Sequence, residues 1–230
     1  MKNVSNNMIR IDDLHFIYPD GNFSLDISEL SINQGESVAI IGPSGSGKTT
    51  LLNLICGVSR PQNGDISING RSLNSQSEKE LRQYRISHIG MVFQSFELLE
   101  YLNVLDNILL PYRLDNTLHM DMQTVTRAKE IAATFGIDDK LKRYPSQLSQ
   151  GEKQRVAIMR ALITGAKLII ADEPTGNLDP KNTDLVADLL LDFVKKEGAT
   201  LVTVTHDHDF AKRFDRIIDF TELLKGVKNA

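Results

Sequence analysis

Cysteine is almost missing from this sequence. Cys56 is the only one, so no disulfide framework can form. It falls among apolar residues, where a small buried side chain is the expected role. Long apolar runs are missing too. None approaches the ~18 to 20 residues that a membrane-spanning helix needs. The first seven residues, Met1 to Asn7, hold no apolar core and do not read as a signal peptide. The chain is therefore expected to stay in the cytoplasm and to meet a membrane only through a partner. A basic excess is also lacking. Net charge is −4, the pI is about 5.7, and no Lys/Arg cluster exceeds two residues. Direct binding to nucleic acid is not expected from that balance. Neither an internal repeat nor a low-complexity linker is present.

What the sequence does hold is enough for a packed α/β domain. It has 230 residues, 41% of them hydrophobic, which excludes global disorder and allows one core with a small insertion. Its most specific segment is Gly42-Pro43-Ser44-Gly45-Ser46-Gly47-Lys48-Thr49. Every fixed position of the phosphate-loop pattern G-x-x-x-x-G-K-[ST] is filled. A strand is predicted before it at 37–41, and a helix after it from Thr50 to Ile55. The glycines let the backbone curl so that N–H groups converge on one phosphate. The helix N-terminus adds donors and partial positive charge. Lys48 brings a full charge to the outer phosphates, and the Thr49 hydroxyl is suited to Mg²⁺. The loop implies a nucleoside triphosphate without saying how its energy is used.

The remaining pattern supplies the frame. Strands are predicted at 8–16 and 23–32, joined by a turn at Pro19-Asp20-Gly21-Asn22. A further strand covers 65–70, a short helix 78–84, and a strand 89–93 that ends at Gln94. From about 96 to 146 the apolar spacing is helical. A helix over 153–162 follows, then strands at 167–171 and 200–204. Between these two lies a helix of about 182–197, closed by Gly198. Apolar strands alternating with helices argue for a doubly wound parallel sheet.

Two more clusters carry chemistry. Leu168-Ile169-Ile170-Ala171 delivers Asp172 and Glu173 at a strand's C-terminal end, where ligand sites of open α/β sheets lie. Asp172 is placed to hold Mg²⁺, directly or through water. Glu173 is placed to orient and deprotonate an attacking water. Leu148-Ser149-Gln150-Gly151-Glu152 is a capping box before a helix, with Ser149 and Glu152 at S-x-x-E spacing. A capping box needs no ligand. Gly151 in the first turn, however, leaves backbone N–H groups uncovered for a γ-phosphate.

With these residues in view, the chain resembles the ATP-binding subunits of ABC transporters. The segment from Tyr144 to Ile158 looks like that family's signature region. The usual core is L-S-G-G-Q; here Gln150 stands for the first glycine and Glu152 for the glutamine, while Ser149 and Gly151 are kept. Tyr18 resembles the aromatic residue that stacks on adenine. Gln94 resembles the Q-loop glutamine, Asn177-Leu178-Asp179 the D-loop, and His206 the switch histidine. The other histidines, His15, His88, His119 and His208, match nothing. The resemblance runs from about Ile9 to Phe220.

The resemblance implies a P-loop NTPase core with a mostly parallel, RecA-like sheet, an N-terminal antiparallel β subdomain and a helical insertion. The whole of 1–230 then forms one ATPase domain, with the core at about 1–95 and 147–230 and the insertion at about 96–146. ATP and Mg²⁺ are implied as cofactors. Implied nucleotide contacts are Tyr18, the residues from Gly42 to Thr49, Thr50, Ser149, Gln150, Gly151, Glu152 and Asp179. Mg²⁺ is implied at Thr49, Gln94 and Asp172, and turnover at Glu173, His206, Gln94 and Lys48. Two copies are expected to pair head to tail on binding ATP. A groove near Phe96, Glu97, Leu98 and Leu99 is expected to receive an integral membrane permease, placing the chain at the inner face of the cell membrane. Within the family, Pro174-Thr175-Gly176-Asn177-Leu178-Asp179 is similar to the lipoprotein-releasing, macrolide-exporting and cell-division group. An amino-acid-type importer ATPase is the alternative. A soluble ABC ATPase acting on DNA or ribosomes is a third reading, disfavoured by the acidic balance and by the lack of a long coiled-coil insertion. A metabolite kinase would have no use for the segment 148–152.

Overall fold

A computed structural model describes residues 6–21 and 23–225. In chain order its first elements are β1 (Asn7–Ile17), β2 (Ser24–Asn33), β3 (Ser37–Ile41), α1 (Lys48–Ile55), β4 (Asn63–Ile68), β5 (Arg71–Ser72), α2 (Glu78–His88) and β6 (Ile89–Val92). Then come α3 (Val104–Ile108), α4 (Leu110–Leu114), α5 (Met122–Thr134), α6 (Gln150–Leu162), β7 (Leu168–Asp172), α7 (Pro180–Glu197), β8 (Thr200–Thr205), α8 (His208–Ala211), β9 (Arg216–Asp219) and α9 (Phe220–Lys225). The chain forms two compact units, residues 1–82 with 204–230, and residues 83–203.

The first unit holds an antiparallel sheet of order β2-β1-β4-β5. Its alternation puts Ile9, Ile11, Leu14 and Phe16 of β1 inside, against Leu25, Ile27, Leu30 and Ile32 of β2. The buried positions change from odd to even numbers between Ile11 and Leu14. A bulge causes this: three steps from Asp12 to His15 face two from Asp65 to Asn63, and Asp13 takes φ 48°. Opposite it stands Gly64, where a Cβ would strike the Asp13 carbonyl. The bulge sets the phase in which Phe16 and Tyr18 meet edge to face, ring centres 4.8 Å apart. In the same unit β3 pairs in parallel with β9, Val38 opposite Arg216. The turn before β2 includes Asn22, which lies outside the described residues.

The second unit is built on β6, β7 and the start of β8, in that order. β6 and β7 are parallel, Gly90 opposite Ile169. Leu168 to Ala171 are all buried, as expected for a strand covered on both faces. Thr203 Oγ1 donates to the Ala171 carbonyl at 3.1 Å, so this buried hydroxyl is satisfied. Helix α6 packs on β6, and Gly90 lets it come close, since a Cβ there would strike the Ala161 carbonyl.

The expected elements occur in the expected order, and α8, β9 and α9 follow beyond the last of them. Three further details differ. β5 is too short to show a period. α2 runs to His88, because Tyr84 and His88 stack at 4.5 Å and extend the helix past the expected end. The helical stretch begins only at Val104, where Asn103 caps α3 by accepting the Asp106 amide at 2.8 Å. Residues 96–103 are therefore loop.

Candidate functional site

β3 ends at Ile41 and the chain turns through Gly42 to Gly47 into α1. Gly45 and Gly47 take φ 76° and 106°, values that a side chain would strain. Gly47 has a second constraint, because the Phe23 ring lies where its Cβ would be. Lys48 is buried, and its ammonium donates to the carbonyls of Gly42 at 2.7 Å and Pro43 at 2.8 Å. Two of its three donors thus hold the loop in shape. Pro43, Ser44, Gly45 and Thr49 are exposed, and Thr50 is buried. Tyr18 is brought to this loop: its hydroxyl lies 3.2 Å from Thr50 Oγ1. His206, just past β8, is exposed.

The second unit gathers the other residues. Asp172 closes β7 and is half-buried. Glu173 follows at φ 47°, a left-handed conformation rare for a side-chain-bearing residue and a hallmark of functional turns. Gly176 sits beside it, 3.5 Å from Glu173 Cβ and 3.7 Å from the Gln94 amide nitrogen, both measured from an ideal Cβ. The Asn177 amide donates to the Gln94 carbonyl at 2.8 Å. Gln94, Glu173, Gly176 and Asn177 therefore meet. Asp179 caps α7 by accepting the Asn182 amide at 3.1 Å, a role the sequence pattern did not reveal.

Ser149 caps α6 as the spacing predicts. Its backbone N–H donates to Glu152, and its hydroxyl accepts from the Glu152 amide. Ser149 and Gln150 are exposed. Gly151 is a correction. It is buried rather than uncovered, and a Cβ would stand 2.8 Å from Asn182 Oδ1. The small residue here also serves the packing of α6 on α7. Burial pushes the Glu152 carboxyl up, but hydrogen bonds from Lys140 and Ser149 outweigh it and bring the pKa down to about 2. Glu152 is thus an anion with its charge already matched.

In the stretch expected to form the groove, Phe96, Leu98 and Leu99 are half-buried and Glu97 is exposed. The cavity beside them, about 280 Å³, is lined by Phe93, Glu97, Arg85, Ile86, Leu110 and Pro111 among others. Phe93, 37% exposed, is the aromatic residue that faces outward. Phe96 and Glu97 adopt φ 61° and 51°, and both of their carbonyls accept hydrogen bonds from Arg160 of α6.

The donor set fits Mg²⁺. Among the described residues no group of three His, Cys, Asp or Glu side chains could cage a metal. Mg²⁺ takes one or two carboxylates and otherwise phosphate and water, so in the second unit Asp172 and Gln94 are donors of the right kind, as the Thr49 hydroxyl is in the first. Ser46 Oγ, in the loop, is buried with no hydrogen-bond partner.

Sequence reasoning missed Phe23, Lys140, Asn182 and Arg160. Only Arg160 left a signal, as a lone cation in the apolar run from Ile158 to Leu162.

Among the described residues no helix is long and apolar enough to cross a membrane. The profile of the ABC transporter family matches residues 25–176. The chain is 38% identical over 213 residues to the lipoprotein-releasing system ATP-binding protein LolD of Buchnera aphidicola, covering 91% of this chain and 92% of that one. It is 39% identical over 214 residues to the macrolide export ATP-binding/permease protein MacB of Rhodopirellula baltica, covering 92% of this chain but 31% of that longer one. Among solved structures it is similar to the ABC transporter cassette MJ0796, solved as a dimer (TM-score 0.81, 36% identity, 92% of this chain and 94% of that one) and also as a post-hydrolysis dimer bound to ADP and Pi. A phosphate loop, an acidic strand end and a capped signature helix thus stand on a fold shared with hydrolysing cassettes, and the chain belongs to the ABC transporter family as an ATP-binding subunit that hydrolyses ATP.

Proposed function

We propose that two copies of this chain close head to tail around two ATP and drive a membrane permease of the lipoprotein-releasing or macrolide-exporting kind. The observation that carries this reading is the exposed, capped start of α6. Ser149 and Gln150 are exposed, while the charge of Glu152 is matched within the chain. A helix start of this kind suits a γ-phosphate brought by another copy. The relatives support the permease class, since LolD and MacB are named for lipoprotein release and macrolide export.

In this reading Lys48 and the loop amides bind the β- and γ-phosphates, and Tyr18 meets the base. Glu173 orients the water and takes its proton, while Gln94 and His206 position the water and the γ-phosphate. Asp172, Gln94 and Thr49 would hold Mg²⁺. Bound there, the ion neutralises charge on the phosphate oxygens. Ser149, Gln150, Gly151, Glu152 and Asp179 complete the pocket of the second copy. The two units serve as one ATPase domain, with residues 96–146 as its helical insertion. ATP favours the closed pair and its loss the open one, and only that difference in affinity can do work on a partner. The permease offers a short cytoplasmic helix to the groove beside Phe93 and Glu97. The chain then works on the cytoplasmic face of the cell membrane.

Mixing tests the pairing. Copies with Lys48→Ala and copies with Ser149→Ala each lack every complete pocket. A mixed pair regains one. Turnover that appears only on mixing supports the reading, and a fully active monomer sinks it.

A further inference from the structure

The segment after Gln94 is held in an unfavoured shape. Phe96 and Glu97 are consecutive residues with side chains, and both are left-handed. Such a pair persists only when its surroundings impose it. Here the imposing group is the Arg160 guanidinium, nine-tenths buried, which donates one N–H to the Phe96 carbonyl at 2.7 Å and another to the Glu97 carbonyl. Its planar fork spans the two carbonyls at once, which a lysine cannot do. Burial lowers the Arg160 pKa and the nearby Glu97 charge opposes it, while the two carbonyls satisfy donors of the desolvated cation.

Arg160 belongs to α6, the helix whose first turn carries Ser149 and Gly151. Glu97 and Arg160 also line the cavity beside Phe93. Resting on the proposed function, we infer that Arg160 is a positioning residue that locks the segment 94–97 to the signature helix. A permease segment seated against Phe93 and Glu97 then moves the start of α6 together with Gln94. The Asn177 bond to the Gln94 carbonyl ties the D-loop to the same strip of backbone.

Arg160→Lys in the full-length chain tests this. It keeps the charge but removes the fork. The kcat for ATP should fall about ten- to a hundredfold through misplacement alone. The KM for ATP should stay within about twofold, because uniform binding is not removed. Amide hydrogen exchange of residues 95–99 should quicken, while α1 keeps its protection. Glu97→Val attacks the same lock from the loop, because a β-branched residue resists the left-handed region. It leaves α6 untouched, should show the same split, and decides the matter if Arg160→Lys does not fold. An unchanged kcat in the folded variant, unchanged exchange at 95–99, or a KM that rises as kcat falls overturns the inference. A parent chain with no ATP turnover overturns the proposed function instead.

Discussion

Lys140 Nζ lies 2.9 Å from one Glu152 oxygen, and the other oxygen accepts the Ser149 amide at 2.7 Å. Glutamine is usual at this position in the family's signature. In the proposed pairing an unmatched carboxylate there would face the other copy's triphosphate. The lysine matches that charge within the chain.

The pair sets a pH dependence. Glu152 has its pKa lowered from 4.5 to about 2, and the hydrogen bond that Lys140 donates to Glu152 raises the lysine's own pKa above 10.5. A lowered acid stabilises the fold above its unfolded value and loses that effect as pH falls through the folded one. A raised base does the reverse. Both contributions are full between about pH 4.5 and 10.5. Lys140→Met should cost about 1 kcal/mol at pH 7. The cost should shrink as pH falls from about 4.5 toward 2. Urea denaturation of parent and variant at several pH values measures it, and a pH-independent difference contradicts the pairing.

Glu173→Gln keeps the side chain's size on a backbone already held at φ 47° and removes its basicity. Turnover is expected to drop ~10²- to 10⁴-fold while ATP still binds. The variant should accumulate as a dimer in ATP on size-exclusion chromatography. Parent-like turnover would move the base elsewhere.

Lys48→Ala removes a charge and also two bonds that shape the loop. ATP affinity should fall about ten- to a hundredfold, the scale of one charge-assisted contact. Equilibrium binding of a fluorescent ATP analogue reads this directly. Equal affinity in the two proteins would show that the ammonium serves only the loop.

Gly90→Ala tests the approach of α6 to β6. The obstacle is the Ala161 backbone carbonyl, with Ile169 Cδ1 at 2.6 Å from the new Cβ. The variant should lose about 1 to 3 kcal/mol in chemical denaturation. Adding Ile169→Val should recover little, because backbone cannot yield as a methyl can. Full recovery would place the strain in the side chain.

The phosphate loop and the capping box were legible because each is a local rule. Glycine at a left-handed φ and serine before a helix need no distant partner to be recognised. The strand end was legible because β7 is apolar from Leu168 to Ala171 and only then reaches Asp172. Residues that act through space were not. Lys140 precedes Glu152 by twelve positions across a connecting segment, and nothing in its neighbourhood marks it. Phe23 reads as an ordinary strand-edge aromatic until its ring is found against Gly47. Which side chains of 96–99 turn inward was not legible, because apolar character alone does not say so. The two left-handed residues and the reach of Arg160 decide that.

Asp179 begins an 18-residue helix whose far end is closed by Gly198 at φ 59°. The same carboxylate that starts this rod is the one assigned to the meeting edge of two copies. In the proposed pairing, engagement at that edge would draw on a group already committed to the first turn of the helix, so a neighbour's arrival would be felt where this rod begins.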